Sequence, residues 1–167
     1  MRCFVAAWPD SKTRAGLARL TQDVRPHASH GRIMRAENLH LTFAFIGSLE
    51  EDTARRVALA CRALAFEPFD WQVDAIGFFA RPRVLWAGGP LSPALEAIAA
   101  SVRSMLDRLQ VNYDRKAFVP HVTLLRDVKS FDGEAGVSPP LPWRIEDVDL
   151  FRSTHDEHGA RYLRVEP

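Results

Sequence analysis

The stretches His40-Leu41-Thr42-Phe43 and His121-Val122-Thr123-Leu124 share one pattern. Each consists of histidine, an apolar residue, threonine and a second apolar residue, and each lies in a run of β-forming residues. Because successive side chains of a strand point to opposite faces, each histidine shares a face with its threonine. The two apolar side chains share the other face. Each stretch therefore predicts a strand that packs on a core with one face and presents an imidazole and a hydroxyl on the other.

The segments before the two stretches follow a common order. Strand, helix and histidine-bearing strand describe residues 2–46, and the same order recurs across residues 83–126. The first helix follows the capping residues Asp10 and Ser11. The second follows Ser92-Pro93, which supplies a cap and then proline at the first helical position. The order predicts a loose architectural repeat with one histidine strand in each half.

The rest of the chain predicts one more helix, over residues 50–65, and several short strands. Residues 127–142 contain three prolines and two glycines and predict a loop, whereas residues 25–37 predict a loop or a short edge strand. Single helices among short strands favour an α+β fold with antiparallel sheets. The length suits a single domain over residues 1–167. The strands are expected at residues 2–8, 39–46, 69–79, 83–88, 119–126, 143–152 and 160–166.

Composition excludes several classes of protein. Hydrophobic residues make up 47% of the chain and charged residues 26%, as in a globular domain. The 22 basic and 21 acidic residues leave a net charge of +1, so no overall positive field is present to bind duplex DNA. Two cysteines without metal-ligand spacing predict a cytoplasmic protein. No apolar run approaches the roughly 18 residues of a membrane span, so we expect a protein that does not enter a membrane. We also expect the protein to be a monomer.

The residue types of the two stretches suit phosphodiester chemistry. Unperturbed histidine has a pKa of about 6.5, so one imidazole can deprotonate the attacking water while the other protonates the leaving alkoxide. A threonine hydroxyl can donate a hydrogen bond to a non-bridging phosphate oxygen. This scheme needs no cofactor, and the sequence has no carboxylate cluster suited to Mg²⁺. We therefore expect His40 and His121 to be catalytic, Thr42 and Thr123 to bind phosphate, and no metal to be involved.

A further candidate for substrate binding lies five residues beyond each histidine. Arg126 is a cation that can contact the phosphate or the base, with a solvated strand end as the alternative. Phe45 would lie on the face opposite His40 in an unbroken strand, so we expect it in the core, with base stacking as the alternative. We expect the remaining four histidines to be solvated surface residues: His27, His30, His155 and His158. Four arginines could either line an anion-binding cleft or be ordinary surface charges: Arg32, Arg35, Arg81 and Arg83.

Residues 38–47 and 120–126 resemble the two signature strands of the 2H phosphoesterase superfamily. Within it, the chain is most similar to the bacterial RNA 2′,3′-cyclic phosphodiesterases, also called LigT-like 2′-5′ RNA ligases. The resemblance extends to the Trp-Pro end of the first strand, to residues 82–86 and to the closing strand at residues 150–153. Both His-x-Thr-x motifs are intact.

The resemblance implies a bilobal α+β fold. Two pseudo-symmetric lobes, each with an antiparallel sheet and flanking helices, would each give one His-x-Thr-x strand to a central cleft. It also implies metal-free hydrolysis of the 2′,3′-cyclic phosphate of an RNA end or a cyclic nucleotide to a 2′-phosphate. In that family reaction His40 would be the proton donor to the O3′ leaving group and His121 the acceptor that activates water. Thr42 and Thr123 would hold the phosphate.

Other functions are compatible with the same residues. The same acid and base can join RNA ends through a 2′-5′ linkage, because both directions of a reaction share one transition state. Cleavage of another cyclic or 2′-linked nucleotide would also use them. A binding module that captures RNA ends without turnover would not need two titrating imidazoles. A metal-dependent hydrolase would lose its activity in EDTA.

Overall fold

The computed structural model of the protein describes residues 1–157 and 159–167. These residues form three α-helices and nine β-strands, with 3-10 turns at Arg25–His27 and Ala36–Asn38. The helices are α1 Ser11–Val24, α2 Glu51–Arg62 and α3 Pro93–Arg108. The strands are β1 Arg2–Ala7, β2 Ala28–Ile33, β3 Leu41–Ser48, β4 Phe69–Phe79, β5 Val84–Gly88, β6 His121–Phe131, β7 Gly136–Ile145, β8 Asp149–Asp156 and β9 Gly159–Arg164.

The strands form two sheets in which all the pairings are antiparallel. The first sheet has the order β3-β1-β8-β9, and the second has the order β2-β6-β5-β4-β7. The two histidine stretches belong to different sheets, at β3 and β6, and these two strands contact each other. The α+β class and the bilobal arrangement, with one histidine strand from each lobe, are confirmed.

The predicted repeat is present in the pairing of the strands, but the helices are exchanged between the sheets. β1 pairs with the histidine strand β3, and β5 pairs with the histidine strand β6. Helix α1 follows β1 yet packs against β7 of the second sheet, and α3 follows β5 yet packs against β3 of the first. The main cluster of the hydrophobic core includes residues of both sheets, among them Val5 and Leu41 in the first and Leu85 and Val122 in the second.

Two helices begin at the predicted caps. Asp10 Oδ1 accepts a 2.7 Å hydrogen bond from the backbone N–H of Thr13, and Ser92 Oγ accepts one of 3.3 Å from that of Leu95. These bonds satisfy N–H groups that lack a partner within the helix. Helix α2 ends at Arg62, three residues earlier than predicted. No helix in the described part of the chain is long and apolar enough to cross a membrane.

The prediction of a loop over residues 127–142 is wrong. β6 continues to Phe131, and β7 begins at Gly136 and contains the three prolines. Because β7 is the edge strand of its sheet, one side of its backbone is unpaired and proline costs no ladder hydrogen bond there. The predicted strand 143–152 is accordingly divided between the end of β7 and the start of β8. At residues 25–37 the edge-strand alternative is correct, since β2 lies at the other edge.

Candidate active site

The two histidines occupy equivalent positions at the starts of β3 and β6. His40 directly precedes β3, and His121 is the first residue of β6. Both histidines are half-buried, as are Thr42 and Thr123 two residues further on. The alternation predicted for the two stretches is therefore confirmed. The apolar residues that alternate with them are buried in the core: Leu41, Phe43, Val122 and Leu124.

The same hydrogen bond orients each imidazole. Nδ1 of His40 lies 2.6 Å from the carbonyl oxygen of Asn38, and Nδ1 of His121 lies 2.7 Å from that of Val119. A carbonyl oxygen can only accept a hydrogen bond, so Nδ1 carries the proton and donates in both rings. Nε2 is then the nitrogen that gains or loses a proton. In both rings, therefore, a hydrogen bond from Nδ1 to the backbone leaves Nε2 available for proton transfer.

Burial lowers the pKa of both histidines. The pKa of His40 falls to about 4, chiefly because burial penalises the imidazolium; the hydrogen bond to Asn38 opposes this, and the positive charges of Arg126 and His121 add to it. The pKa of His121 is also lowered, first by burial and then by the charge of Arg126. β3 and β6 contact each other, and the charges of His121 and Arg126 both lower the pKa of His40, so these side chains lie in one region of the molecule. At neutral pH both rings are uncharged in the free protein.

A β-bulge follows the threonine of each motif. The pairing of β3 with β1 skips Phe43, and the pairing of β6 with β5 skips Leu124. An extra residue of this kind reverses the alternation of faces beyond it. The two bulges occupy the same position in the two stretches, so the pseudo-symmetry of the lobes includes this irregularity.

The bulges bring Phe45 and Arg126 onto the face of the histidines. Phe45 lies opposite Phe4, whose ring stacks on His40, and half of Phe45 is exposed to solvent. The expected core position of Phe45 is therefore wrong, because it assumed an unbroken strand. Arg126 is half-buried, has no ion-pair partner among the described residues and acts electrostatically on both histidines. A free cation near both imidazoles suits an anionic substrate.

His40 lies within a group of aromatic rings. The indole of Trp8 is parallel to the imidazole within 4°, with the ring centres 4.9 Å apart. The ring of Phe4 stacks at 4.8 Å and 30°, and Tyr162 presents an edge contact at 5.2 Å and 83°. The sequence pattern does not predict that these three residues belong to the site. The alternation of β1 would have placed the first two on one face, but only the packing of the rings shows that this face contacts His40.

His121 has different aromatic neighbours. Within the part of the chain that the structure describes, its ring makes only edge contacts, with Phe79 at 5.3 Å and 85° and with Trp86 at 6.0 Å and 62°. The two histidines therefore match in their hydrogen bonds but differ in the rings around them. This difference distinguishes the two sides of the site.

The remaining histidines lie outside this cluster. His27, His30 and His155 are exposed, as predicted, and His158 lies outside the described residues. No group of three or more histidine, cysteine, aspartate or glutamate side chains in the described ranges could hold a metal ion. These histidines are not brought together with the motif residues.

The four additional arginines lie in three places. Arg32 lies opposite Arg126 on the neighbouring strand and forms an ion pair of 2.9 Å with Asp127. Arg35 lies 3.5 Å from Asp156 of the first sheet. The other two are exposed in the turn between β4 and β5: Arg81 and Arg83.

Similar proteins carry one functional name. Residues 8–86, which include the first motif, match the LigT-like phosphoesterase family. A protein of Escherichia coli named RNA 2′,3′-cyclic phosphodiesterase is 31% identical over 137 residues, which cover 79% of this chain and 76% of that protein. A protein of the same name from Thermotoga maritima is 28% identical over 157 residues, which cover 90% of this chain and 79% of that protein.

A solved structure has the same fold as this protein. The crystal structure of Escherichia coli LigT complexed with 3′-AMP matches with a TM-score of 0.86 and 26% sequence identity. The match covers 99% of this chain and 95% of that chain, so it includes both motif strands of the present protein.

Proposed function

Because the chain belongs to the LigT-like phosphoesterase family, we propose that it hydrolyses 2′,3′-cyclic phosphodiester ends of RNA, and cyclic nucleotides, to 2′-phosphomonoesters. The relatives from Escherichia coli and Thermotoga maritima are named RNA 2′,3′-cyclic phosphodiesterase, which supports this substrate class. The observation that carries the proposal is the pair of histidines whose Nδ1 atoms donate to backbone carbonyls and whose Nε2 atoms are left to exchange protons. Two such groups in one cleft suit a reaction with two proton transfers.

His121 and His40 divide the proton transfers in this proposal. Nε2 of neutral His121 takes a proton from water as the water oxygen forms a bond to phosphorus. The bond from phosphorus to O3′ breaks, and O3′ takes the proton from Nε2 of protonated His40. The product carries a 2′-phosphate and a 3′-hydroxyl, and the two histidines have exchanged protonation states. The assignment of donor and acceptor follows the family resemblance.

Substrate binding supplies the protonated state that the donor needs. The pKa of His40 is about 4 in the free protein, so the ring is neutral at pH 7. A phosphodiester anion beside the ring favours the imidazolium, and it also offsets the charge of Arg126, which lowers the pKa of both histidines. The substrate therefore raises the pKa of its own proton donor.

The other cleft residues divide between the phosphate and the base. Thr42 and Thr123 share the faces of their histidines and would donate hydrogen bonds to the non-bridging oxygens. Arg126, a cation without an ion-pair partner among the described residues, would hold the phosphate charge. Phe45 offers an exposed ring on which a nucleobase can stack.

We also propose that the reaction needs no metal ion, because the two imidazoles account for both proton transfers and Arg126 for the phosphate charge. A cytoplasmic location is supported by Cys3 and Cys61, which are both free and buried. A single domain is supported by the core cluster that spans both sheets. The partners would be RNA or oligonucleotide ends with a cyclic phosphate, and the protein would act as a monomer.

Turnover of 2′,3′-cyclic AMP in EDTA tests the proposal. Wild type should form 2′-AMP, identified by the position of its phosphate in NMR spectra, and His40→Ala and His121→Ala should each lose activity by orders of magnitude. His27→Ala is the matched control, since this histidine is exposed and lies outside the cleft. Activity that survives either cleft substitution, or that EDTA abolishes, would contradict the mechanism. If the mononucleotide is not turned over, a short RNA with a cyclic phosphate end gives the deciding measurement.

A further inference from the structure

The ring of His40 contacts two aromatic side chains near the end of β1, Phe4 and Trp8. Phe4, Ala6 and Trp8 follow one another at every second position, so they share the cleft face of the first sheet. Trp8 directly follows the end of β1, and the centre of the imidazole lies within 5 Å of the ring centres of both Phe4 and Trp8. The imidazole of His40 is therefore in ring contact with Phe4 and with Trp8, at 4.8 Å and 4.9 Å between ring centres.

The rings beside His40 are held in place by other rings. Trp8 stacks on Phe151 at 4.2 Å and 27°, and Phe4 contacts Phe151 at 5.9 Å and Tyr162 at 5.0 Å. Phe4, Ala6 and Phe151 form a buried cluster separate from the main core, with Trp8 and Tyr162 packed against it. The plane of the indole is therefore set before any substrate binds.

We propose that Trp8 is a positioning residue for His40, which holds the plane of the imidazole and favours its protonated form over the neutral one. The proposal rests on the proposed function, in which His40 is the proton donor. The stacked indole gives a structural reason why His40 and not His121 would be the proton donor. His121 has only edge contacts with its described aromatic neighbours.

Two effects of opposite sign act on the imidazolium of His40. Burial disfavours the cation and lowers the pKa of His40 to about 4. The face of an indole is the negative side of its quadrupole, so a parallel ring attracts the cation. The ionisable groups that contribute to the pKa of His40 are Arg126 and His121, and both oppose its protonation. Trp8 therefore works against burial and against both neighbouring charges.

The test compares Trp8→Phe with Trp8→Leu, because both residues exclude water while only phenylalanine offers a ring face. Nitrogen-15 NMR titration of the imidazoles should give a pKa of His40 lower by about 0.5 to 1 in Trp8→Leu than in Trp8→Phe. The pKa of His121 should be the same in both variants. At neutral pH, kcat/KM should be roughly 3- to 10-fold lower in Trp8→Leu than in Trp8→Phe, which follows from the smaller protonated fraction. Phe66→Leu is the control for loss of an aromatic ring, because Phe66 lines a separate pocket beside α3 that includes neither histidine.

Two results would overturn the proposal. One is a pKa of His40 that is equal or higher in Trp8→Leu, which would mean that Trp8 acts only by excluding water. The other is an equal loss of kcat/KM in both variants. If Trp8→Leu does not fold, Trp8→Phe against wild type decides, since a retained pKa and pH profile are required. The titration needs no turnover, so an inactive wild type would refute the proposed function and leave this comparison standing.

Discussion

Phe43 and Leu124 occupy equivalent β-bulges, each directly after the threonine of its motif, and both side chains are buried. Each bulge turns the residue five positions after the histidine toward the cleft. In the first lobe that residue is Phe45, and in the second it is Arg126. The two lobes use one backbone irregularity to present an aromatic ring on one side and a cation on the other. We therefore expect the base to contact the first lobe and the phosphate to lie nearer the second.

Phe45→Ala should weaken substrate binding without changing the fold. Base stacking on an aromatic ring contributes about 1–3 kcal/mol, so we expect KM for 2′,3′-cyclic AMP to rise by roughly 5- to 100-fold with little change in kcat. Because half of Phe45 is exposed, the thermal stability of the variant should differ little from that of wild type. Steady-state kinetics give the answer, with Leu59→Ala, an exposed apolar residue on α2, as the control. An unchanged KM with reduced kcat would refute a stacking role.

Arg126→Gln should have a spectroscopic effect as well as a kinetic one. Its charge lowers the pKa of both histidines, so its removal should raise both pKa values in an NMR titration. Loss of a charged contact to the phosphate should lower kcat/KM by roughly 10- to 100-fold. Arg126→Lys keeps the charge but not the planar guanidinium, so it should restore the pKa values more fully than the activity. Histidines that titrate as in wild type in Arg126→Gln would place this cation outside the site.

Substitution of Thr42 or Thr123 by valine should lower kcat. Valine has nearly the same shape but no hydroxyl, and loss of one donor to a transition-state oxyanion costs roughly 100- to 1000-fold in other active sites. These threonines are half-buried, so we expect a loss of at least about 10-fold here. Thr42→Ser and Thr123→Ser retain the hydroxyl and serve as matched controls. Equal rates for the valine and serine variants would show that the hydroxyls only support the strand.

The pH profile of kcat/KM should fall with increasing pH above about pH 6.5. The reactive form of the free protein has His40 protonated and His121 neutral. The pKa of His40 is about 4, so its protonated fraction falls tenfold with each pH unit above that value. The pKa of His121 lies below its usual value, so this ring is already neutral in that range. Rates measured from pH 4.5 to 8.5 test this, and a kcat/KM that rises between pH 6.5 and 8 would contradict it.

The pH profile of kcat should be displaced to higher pH than that of kcat/KM. The profile of kcat reports the substrate complex, in which the phosphodiester anion stabilises protonated His40. The same set of initial rates, taken at saturating substrate, provides this comparison. Identical profiles would mean that the bound anion does not reach the ring.

Leu106→Ala should destabilise both lobes together. Leu106 is fully buried on α3, and the loss of such a side chain costs about 2–5 kcal/mol in the free energy of unfolding. Because the core is continuous across both sheets, urea unfolding should remain a single transition in tryptophan fluorescence and circular dichroism. The exposed substitution Leu59→Ala should stay within about 0.5 kcal/mol of wild type. Two separate transitions would refute a single cooperative unit.

Local sequence signals were sufficient for much of the fold and for the two histidines. The caps at Asp10 and Ser92 mark helix starts that the structure retains. Strict alternation was enough to place His40 beside Thr42 and His121 beside Thr123. These features depend only on a residue and its near neighbours in the chain.

The errors have a different physical origin. Nothing in the sequence around Phe43 signals a bulge, because the extra residue is defined by the pairing with β1. The prolines of β7 are tolerated because of its position at a sheet edge, which the chain acquires only when both sheets have formed. The core position expected for Phe45 and the loop expected at residues 136–142 are therefore wrong for one reason. The environment of these residues is set by strands that are distant in sequence.

The packing of α1 on the second sheet and of α3 on the first leaves the two lobes without a surface along which they can part. Separating the two sheets would expose the apolar core that they share, so we expect the relative position of the two histidine strands to be set by folding. In the proposed mechanism, the entropy of bringing the acid and the base to one phosphodiester would then be lost once, when the chain folds. Well-oriented groups of this kind reach effective molarities of about 10⁵–10⁸ M. Substitutions of buried residues on α3, such as Leu106, should accordingly slow catalysis although they lie outside the proposed substrate-binding residues.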